Sequence, residues 1–185
     1  MKNIYFKEEH ILLQKMIREF SENEIKPLAQ DIDKYSTFPQ ESIKKLSELG
    51  LMGIPWSSKY EGGDMDYLSL VIVIEEIAKV CVSTAVTLMA HTSLGSGPFY
   101  LFGNEEQKNK YLKKLSKGEI IGAFALTEPM AGSDAGNTQT TATLVNDKYI
   151  VNGQKIFCTN AGYAGVTIFT AKIIKDGKDC GIGAL

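Results

Sequence analysis

The spacing of apolar residues changes once along this chain, near residue 118, and that change limits the folds open to it. From Glu8 to Asp33, apolar residues recur at Leu12, Leu13, Met16, Ile17, Phe20, Ile25, Leu28 and Ile32, one stripe at helical period with charges on the other side. Pro27 lies inside this stretch and predicts a kink or a split. A second helix is expected from near Pro39, suited to a first turn, to Gly50, suited to a cap. Leu51 to Met65, with Pro55, Gly62 and Gly63, reads as a loop. Asp66 caps a third helix through Val80, apolar nearly all round and so buried. Ser83 or Thr84 opens a fourth to about Leu94, which Gly95-Ser96-Gly97-Pro98 interrupts. Asn104-Glu105-Glu106-Gln107 has the form of a capping box, and its helix, burying Tyr111, Leu112 and Leu115, stops at Gly118.

Beyond Gly118 the pattern turns strand-like. Ile120 to Thr127 is a short run, Gln139 to Val145 alternates, and Tyr149 to Val151 follows the turn Asn146-Asp147-Lys148. Lys155 to Thr159 and Val166 to Ile173 continue the series, and Lys175-Asp176-Gly177-Lys178 is a further turn. Helices followed by strands predict an α+β fold, with an all-helical domain over 1–118 and an incomplete antiparallel β domain over 119–185. Ending at Gly181-Ile182-Gly183-Ala184-Leu185, the strand series leaves an open sheet edge and reads as unfinished.

Composition narrows the function classes. Twenty basic residues against 22 acidic ones give a net charge of −2 and no polybasic face, which argues against a nucleic-acid partner. The most apolar run, Leu68 to Ile74, is far short of the roughly 20 residues that span a bilayer and meets Glu75 and Glu76 at once. Met1-Lys2-Asn3-Ile4-Tyr5-Phe6-Lys7-Glu8-Glu9 lacks the apolar core of a secretion signal. Cys81, Cys158 and Cys180 are odd in number and widely spaced, which suggests reduced thiols in a cytoplasmic protein and no metal-ligand pattern.

Two segments concentrate polar chemistry. Leu126-Thr127-Glu128-Pro129-Met130-Ala131-Gly132-Ser133-Asp134-Ala135-Gly136 packs hydroxyls, glycines and two carboxylates after a strand, a composition that can bring backbone N–H groups to an anionic or polar ligand. It can equally be a connection whose Ser133 and Asp134 satisfy backbone groups. It is neither a phosphate-binding P-loop nor a nucleophile elbow. Gly153-Gln154-Lys155-Ile156-Phe157-Cys158-Thr159-Asn160-Ala161-Gly162 could flank a planar ring with an aromatic, a hydroxyl and an amide, or could be a core strand ending in a turn.

Together the two segments resemble a known pair. Phe-Ala-Leu-Thr-Glu-Pro-x-Ala-Gly-Ser-Asp followed by Gly-x-Lys-x-Phe-x-Thr-Asn is similar to the flavin-binding signatures of the acyl-CoA dehydrogenases. Upstream, Ile43 to Pro55, Tyr60-Glu61-Gly62-Gly63, Glu75-Glu76-Ile77-Ala78, and Ala90-His91-Thr92-Ser93-Leu94 through Phe102-Gly103-Asn104-Glu105-Glu106-Gln107-Lys108 resemble the same family in the same order. The resemblance implies an FAD site bordered by Phe124, Leu126 and Thr127, with Leu126 N–H and the Thr127 hydroxyl on the flavin pyrimidine edge. Ser133 would serve the pyrophosphate and the pantetheine arm of acyl-CoA, Phe157 would pack on the ring, and Thr159 would bond near its reactive nitrogen. Met130 stands where the family often has Gly, and Phe157 where many members have Trp.

The implied reaction is α,β-dehydrogenation of an acyl-CoA thioester, with electrons passed to electron-transferring flavoprotein. Leu88 to Tyr100 is most similar to the short-chain, butyryl-CoA type. In the family the catalytic base is a Glu of a carboxy-terminal helical bundle, absent from this chain. No catalytic residue is therefore assigned, Glu128 is read as structural, and the chain is expected to be a homo-oligomer inactive alone. The alternative is a non-catalytic assembly module completed by a partner or by self-association. His91 reads as a helix residue with a hydrogen-bond partner, His10 as solvated, Glu75 and Glu76 as packing partners, and Cys158 as pointing away from Phe157 and Thr159 by strand alternation.

Overall fold

The computed structural model describes residues 4–185, so Met1, Lys2 and Asn3, part of the segment read above as lacking a signal, lie outside the described residues. Among the described residues eight α-helical segments precede the sheet: α1 (Glu8–Phe20), α2 (Lys26–Lys34), α3 (Gln40–Glu48), α4 (Tyr67–Ala78), α5 (Val82–Met89), α6 (Gly97–Phe102), α7 (Glu105–Gln107) and α8 (Lys113–Lys117). Three wide π turns, Ser21–Ile25, Ala90–Ser96 and Lys108–Leu112, join α1 to α2, α5 to α6 and α7 to α8. Pro27 therefore does not break its helix abruptly. It enters at the start of α2, just after a π turn, where a missing N–H is tolerated. Likewise Gly95 to Pro98 do not interrupt the fourth helix; the chain passes through a π turn straight into α6.

Caps follow the expected chemistry in part. Asp66 accepts from Ser69 N–H at 2.8 Å, and Asn104 and Gln107 exchange both capping-box bonds, at 2.8 and 3.0 Å. Helix α5 instead opens at Val82 with Cys81 as its cap, not at Ser83 or Thr84. The stripe of α1 is narrower than the spacing suggested. Leu13 and Ile17 are buried with Ile25 and Ile32, whereas Leu12 and Met16 face outward. They share a core with Ile43, Leu46, Leu70, Val73, Ile77 and Leu88. The stretch from Leu51 to Met65 is irregular but not a surface loop. Its Leu51, Met52, Ile54, Trp56 and Tyr60 are buried, with Trp56 stacked on Tyr100 at 4.8 Å.

Gly118, at φ 71°, ends α8 in the left-handed region. The strands are β1 (Ile121–Ala125), β2 (Thr141–Val145), β3 (Lys148–Asn152), β4 (Ala164–Lys175) and β5 (Lys178–Ala184). The sheet is mixed, where alternation suggested antiparallel strands. β1 and β2 both pair parallel to β4, along Ala164–Phe169 and Lys172–Ile174, while β3 pairs antiparallel to β2 and β5 to β4. Parallel pairing comes from long crossovers after β1 and β2, which local turn signals do not reveal. Lys155 to Thr159 is not a strand at all.

The sheet meets the helices across a close backbone contact. A Cβ built on Gly95 would stand 2.5 Å from the Gly122 carbonyl carbon, so the π turn and β1 can touch only because both positions lack side chains. Buried strand positions are mostly Ala123, Ala125, Ala142 and Ala171, with Ile168. Among the described residues no helix is long and apolar enough to cross a membrane.

Candidate functional site

Two irregular segments lie side by side at the end of β1. Residues 124–128 run out of the strand, and residues 155–160 lead toward β4. Backbone carbonyls of the first accept three hydrogen bonds from the second: Ile156 N–H donates to Thr127 O at 2.8 Å, Lys155 Nζ to Leu126 O at 3.0 Å, and Cys158 Sγ to Phe124 O at 3.4 Å. Of the residues expected at the site, this brings Phe124, Leu126 and Thr127 beside Phe157 and Thr159. Ser133 lies farther along, on the exposed stretch after the Glu128–Ala131 bridge.

The brace beneath is a buried ion pair. Glu128 is 3% exposed, and its carboxylate accepts from Lys155 Nζ at 2.7 Å, from Thr140 N–H at 3.0 Å, from the Thr138 hydroxyl and from Gln139 N–H. Lys155 also donates to the hydroxyls of Thr138 and Thr170, each at 3.1 Å. Burial alone would raise the Glu128 carboxyl. The Lys155 ammonium and the donors from Thr138, Thr140 and Gln139 outweigh it and hold the group far below the usual carboxylate range. Glu128 is thus ionised and saturated with donors, in keeping with its structural reading.

The second segment carries its own anchor. Asn160, at φ 70°, turns its amide inward to donate to Thr87 O at 3.1 Å and Gly122 O at 3.3 Å, fastening the segment to α5 and β1. Three residues earlier, Phe157 sits at φ 55° and is 88% exposed. A left-handed backbone at a bulky residue and an uncovered ring both cost free energy, and strain of this kind gathers at ligand sites. Leu126 and Met130, 38% and 76% exposed, add apolar surface nearby in sequence. Cys158 does not point away by strand alternation, since no strand exists here. Its Sγ turns to β1, and burial raises its thiol.

The motifs gave Lys155 no role and offered the Asn160 amide only to a ring edge or a turn, whereas it is spent on Thr87 and Gly122. A lysine two residues before an exposed aromatic, with a Thr-Glu-Pro turn upstream to pair with, was the available signal.

The other singled-out groups are structural. His91 is fully buried: Nδ1 accepts from Gly122 N–H at 3.0 Å and Nε2–H donates to Leu115 O at 3.1 Å. Desolvation lowers it to about 4, so the ring is neutral. His10 is not solvated, as its position on α1 suggested, but 1% exposed. Lys7 N–H donates to its Nδ1 at 3.2 Å, and its Nε2 faces both Asp66 oxygens at 3.1 Å. Glu9, His10 and Asp66 place ligand atoms within 4.8 Å of one another, but both ring nitrogens are engaged in that clasp. Glu76 is buried as a packing partner, gripped by Arg18 Nε and Nη2 at 3.0 Å and Lys79 at 2.7 Å.

Residues 7–119 match the model of the acyl-CoA dehydrogenase N-terminal domain, and residues 123–184 that of its middle domain. The chain belongs to the acyl-CoA dehydrogenase family. It is 49% identical over 176 residues to the short-chain specific acyl-CoA dehydrogenase of Clostridium acetobutylicum, covering 95% of this chain and 46% of that one. Its fold superposes on butyryl-CoA dehydrogenase from Megasphaera elsdenii with a TM-score of 0.89 and 38% identity, covering 98% of this chain and 49% of that one. The acyl-CoA dehydrogenase from Bacillus anthracis, solved with FAD, gives 0.86 and 38%, with 96% and 31% covered. The chain spans about half the length of the curated relatives it matches.

Proposed function

We propose that these residues form the first part of an FAD-dependent acyl-CoA dehydrogenase that oxidises a short-chain acyl thioester at its α and β carbons and passes electrons to electron-transferring flavoprotein. The observation that carries the reading is Phe157, an uncovered aromatic held at φ 55° on a segment bonded to Leu126 and Thr127. A flat apolar ring would cover Phe157 and Leu126, and the partly exposed Thr127 and exposed Thr159 supply hydroxyls for its polar edge, so the residues present fit a flavin. The relatives' names, including a short-chain enzyme and a butyryl-CoA dehydrogenase, support the substrate class.

When bound, FAD supplies the acceptor for the hydride that leaves the β carbon. This chain's contribution is positioning. Leu126 N–H and the Thr127 hydroxyl would serve as donors at the pyrimidine edge, where they would favour negative charge. Phe124 and Phe157 would border the ring, Thr159 would donate near its reactive nitrogen, and Ser133 would serve the pyrophosphate and the pantetheine arm. Lys155, itself paired with Glu128, fixes the Leu126 peptide by donating to its carbonyl. Four donors hold the Glu128 carboxylate, which makes it an unsuitable base for the α proton; the family resemblance implies a base supplied from outside residues 1–185. A homo-oligomer is part of this reading, as the family resemblance implies.

FAD titration followed by flavin fluorescence, with butyryl-CoA turnover, tests this. Residues 1–185 alone should retain FAD weakly and turn over negligibly, whereas adding the carboxy-terminal half of a relative should restore binding. Thr159→Ala should then weaken FAD binding by up to about tenfold, the worth of one hydrogen bond. An isolated chain that purifies yellow and oxidises butyryl-CoA would refute the assignment of the base.

A further inference from the structure

Strand β1 stands at the end of the sheet and pairs with β4 alone among the described residues. Along a strand, every second residue turns its N–H and C=O to the same edge. The carbonyls of Gly122, Phe124 and Leu126 follow that spacing, and each accepts from a side chain. Asn160 Nδ2 donates to the first at 3.3 Å, Cys158 Sγ to the second at 3.4 Å, and Lys155 Nζ to the third at 3.0 Å. Residues 155–160 thus run antiparallel along the outer edge of β1, joined to it by a ladder whose donors are mostly side chains. Ile156 N–H pins one end of this run to Thr127 O at 2.8 Å.

The other end is pinned by Asn160, which is 8% exposed. Its amide nitrogen spends both hydrogens, one on Thr87 O of α5 at 3.1 Å and one on Gly122 O of β1. Gly122 is itself fixed from the helical half, since its N–H donates to His91 Nδ1 at 3.0 Å. One side chain therefore refers the run to both halves of the molecule at once. Its backbone, at φ 70°, is left-handed, which asparagine tolerates better than most residues. Phe157, three residues earlier, does not share that tolerance, yet it is held at φ 55° with its ring uncovered. A free segment would relax from such a conformation, so something outside Phe157 maintains it.

We propose that Asn160 is the positioning residue of the site: its amide, shared between Thr87 and Gly122, sets the direction in which Phe157 and Thr159 are presented. What those two side chains face rests on the flavin reading; the latch itself does not.

The test compares residues 1–185 with Asn160→Gly and Asn160→Asp. Glycine keeps the left-handed turn open and removes only the amide, while aspartate keeps the shape and offers no donor to the two carbonyls. Without cofactor, alkylation by iodoacetamide is followed at each thiol by peptide mass spectrometry. Half-buried Cys158, whose thiol burial raises, reports the segment; buried Cys81 reports the helical half, and exposed Cys180 is the reference. Both variants should speed Cys158 about tenfold relative to Cys180 and leave Cys81 unchanged. With FAD, both should bind about tenfold more weakly, and the visible circular dichroism band of the bound flavin should change at saturation. An unchanged Cys158 rate in either variant would overturn the assignment. So would Cys81 rising together with Cys158, since the amide would then hold the fold and not the segment, or FAD affinity and flavin band equal to those of an unsubstituted chain that binds FAD. An unsubstituted chain that takes up no FAD would overturn the flavin reading instead, and the alkylation rates would then decide the latch on their own.

Discussion

Replacing His91 with Gln should flatten the pH dependence of stability between about pH 6.5 and 4. In the folded chain the ring stays neutral down to about pH 4, while the unfolded chain takes up a proton near 6.5. The unfolded state therefore binds more protons within that window, and stability falls as the pH falls through it. Each pH unit is worth ~1.4 kcal/mol, so about 3 kcal/mol should be lost across the window, and urea midpoints at pH 7 and 4.5 would show it. Glu128 acts at lower pH. Its folded carboxyl is held below the ordinary range, so its contribution is complete above about pH 4.3 and is lost as acid approaches the depressed value. Lys155→Met leaves a buried carboxylate without its cation and should cost about 3–5 kcal/mol at neutral pH, measured by urea unfolding. Asp66→Ala removes the cap of α4 and the partner of His10 together, and a loss of about 1–2 kcal/mol is expected from the cap alone.

Between elements, the tightest tolerance is the meeting of the Ala90–Ser96 turn with β1. Gly95→Ala would drive a methyl into the Gly122 backbone and should destabilise by about 1–3 kcal/mol, with amide protection lost first along β1. Elements that rest on local rules were legible in sequence. The Asp66 and Asn104 caps, the end of α8 at Gly118 and strands β1 to β4 fall within a few residues of where pattern placed them. What failed depended on partners distant in sequence. The stretch from Leu51 to Met65 is the loop that pattern placed there, but Pro and Gly mark turns whether or not they are covered, so the burial of its Leu51, Met52, Ile54, Trp56 and Tyr60 was not legible. Lys155 to Thr159 looked like a strand because Ile156 and Phe157 suit one, yet Lys155 is drawn inward by Glu128 and Phe157 is turned to positive φ. At the site, the motif residues were legible by resemblance. The brace of Lys155 and the anchor of Asn160 were not, since neither bond partner is near in sequence.

Across the whole molecule, the two regions are held by different forces. Isoleucines, leucines and Trp56 fill the helical half, and each fully buried large apolar side chain is worth about 1.5–3 kcal/mol. The sheet buries mainly alanines, which offer far less, and leans on ionised and hydrogen-bonded groups instead. Both acid-sensitive devices, the imidazole at Gly122 and the carboxylate at Thr140, sit on that second half or at its border. Souring the solvent should accordingly act in two stages: near pH 4 the His91 ring charges at the seam between the halves, and only in stronger acid does the Glu128 brace let go. Segments 124–128 and 155–160 should loosen in that second stage, and pepsin added in strong acid should cut beyond Gly118 before it cuts the oily bundle upstream.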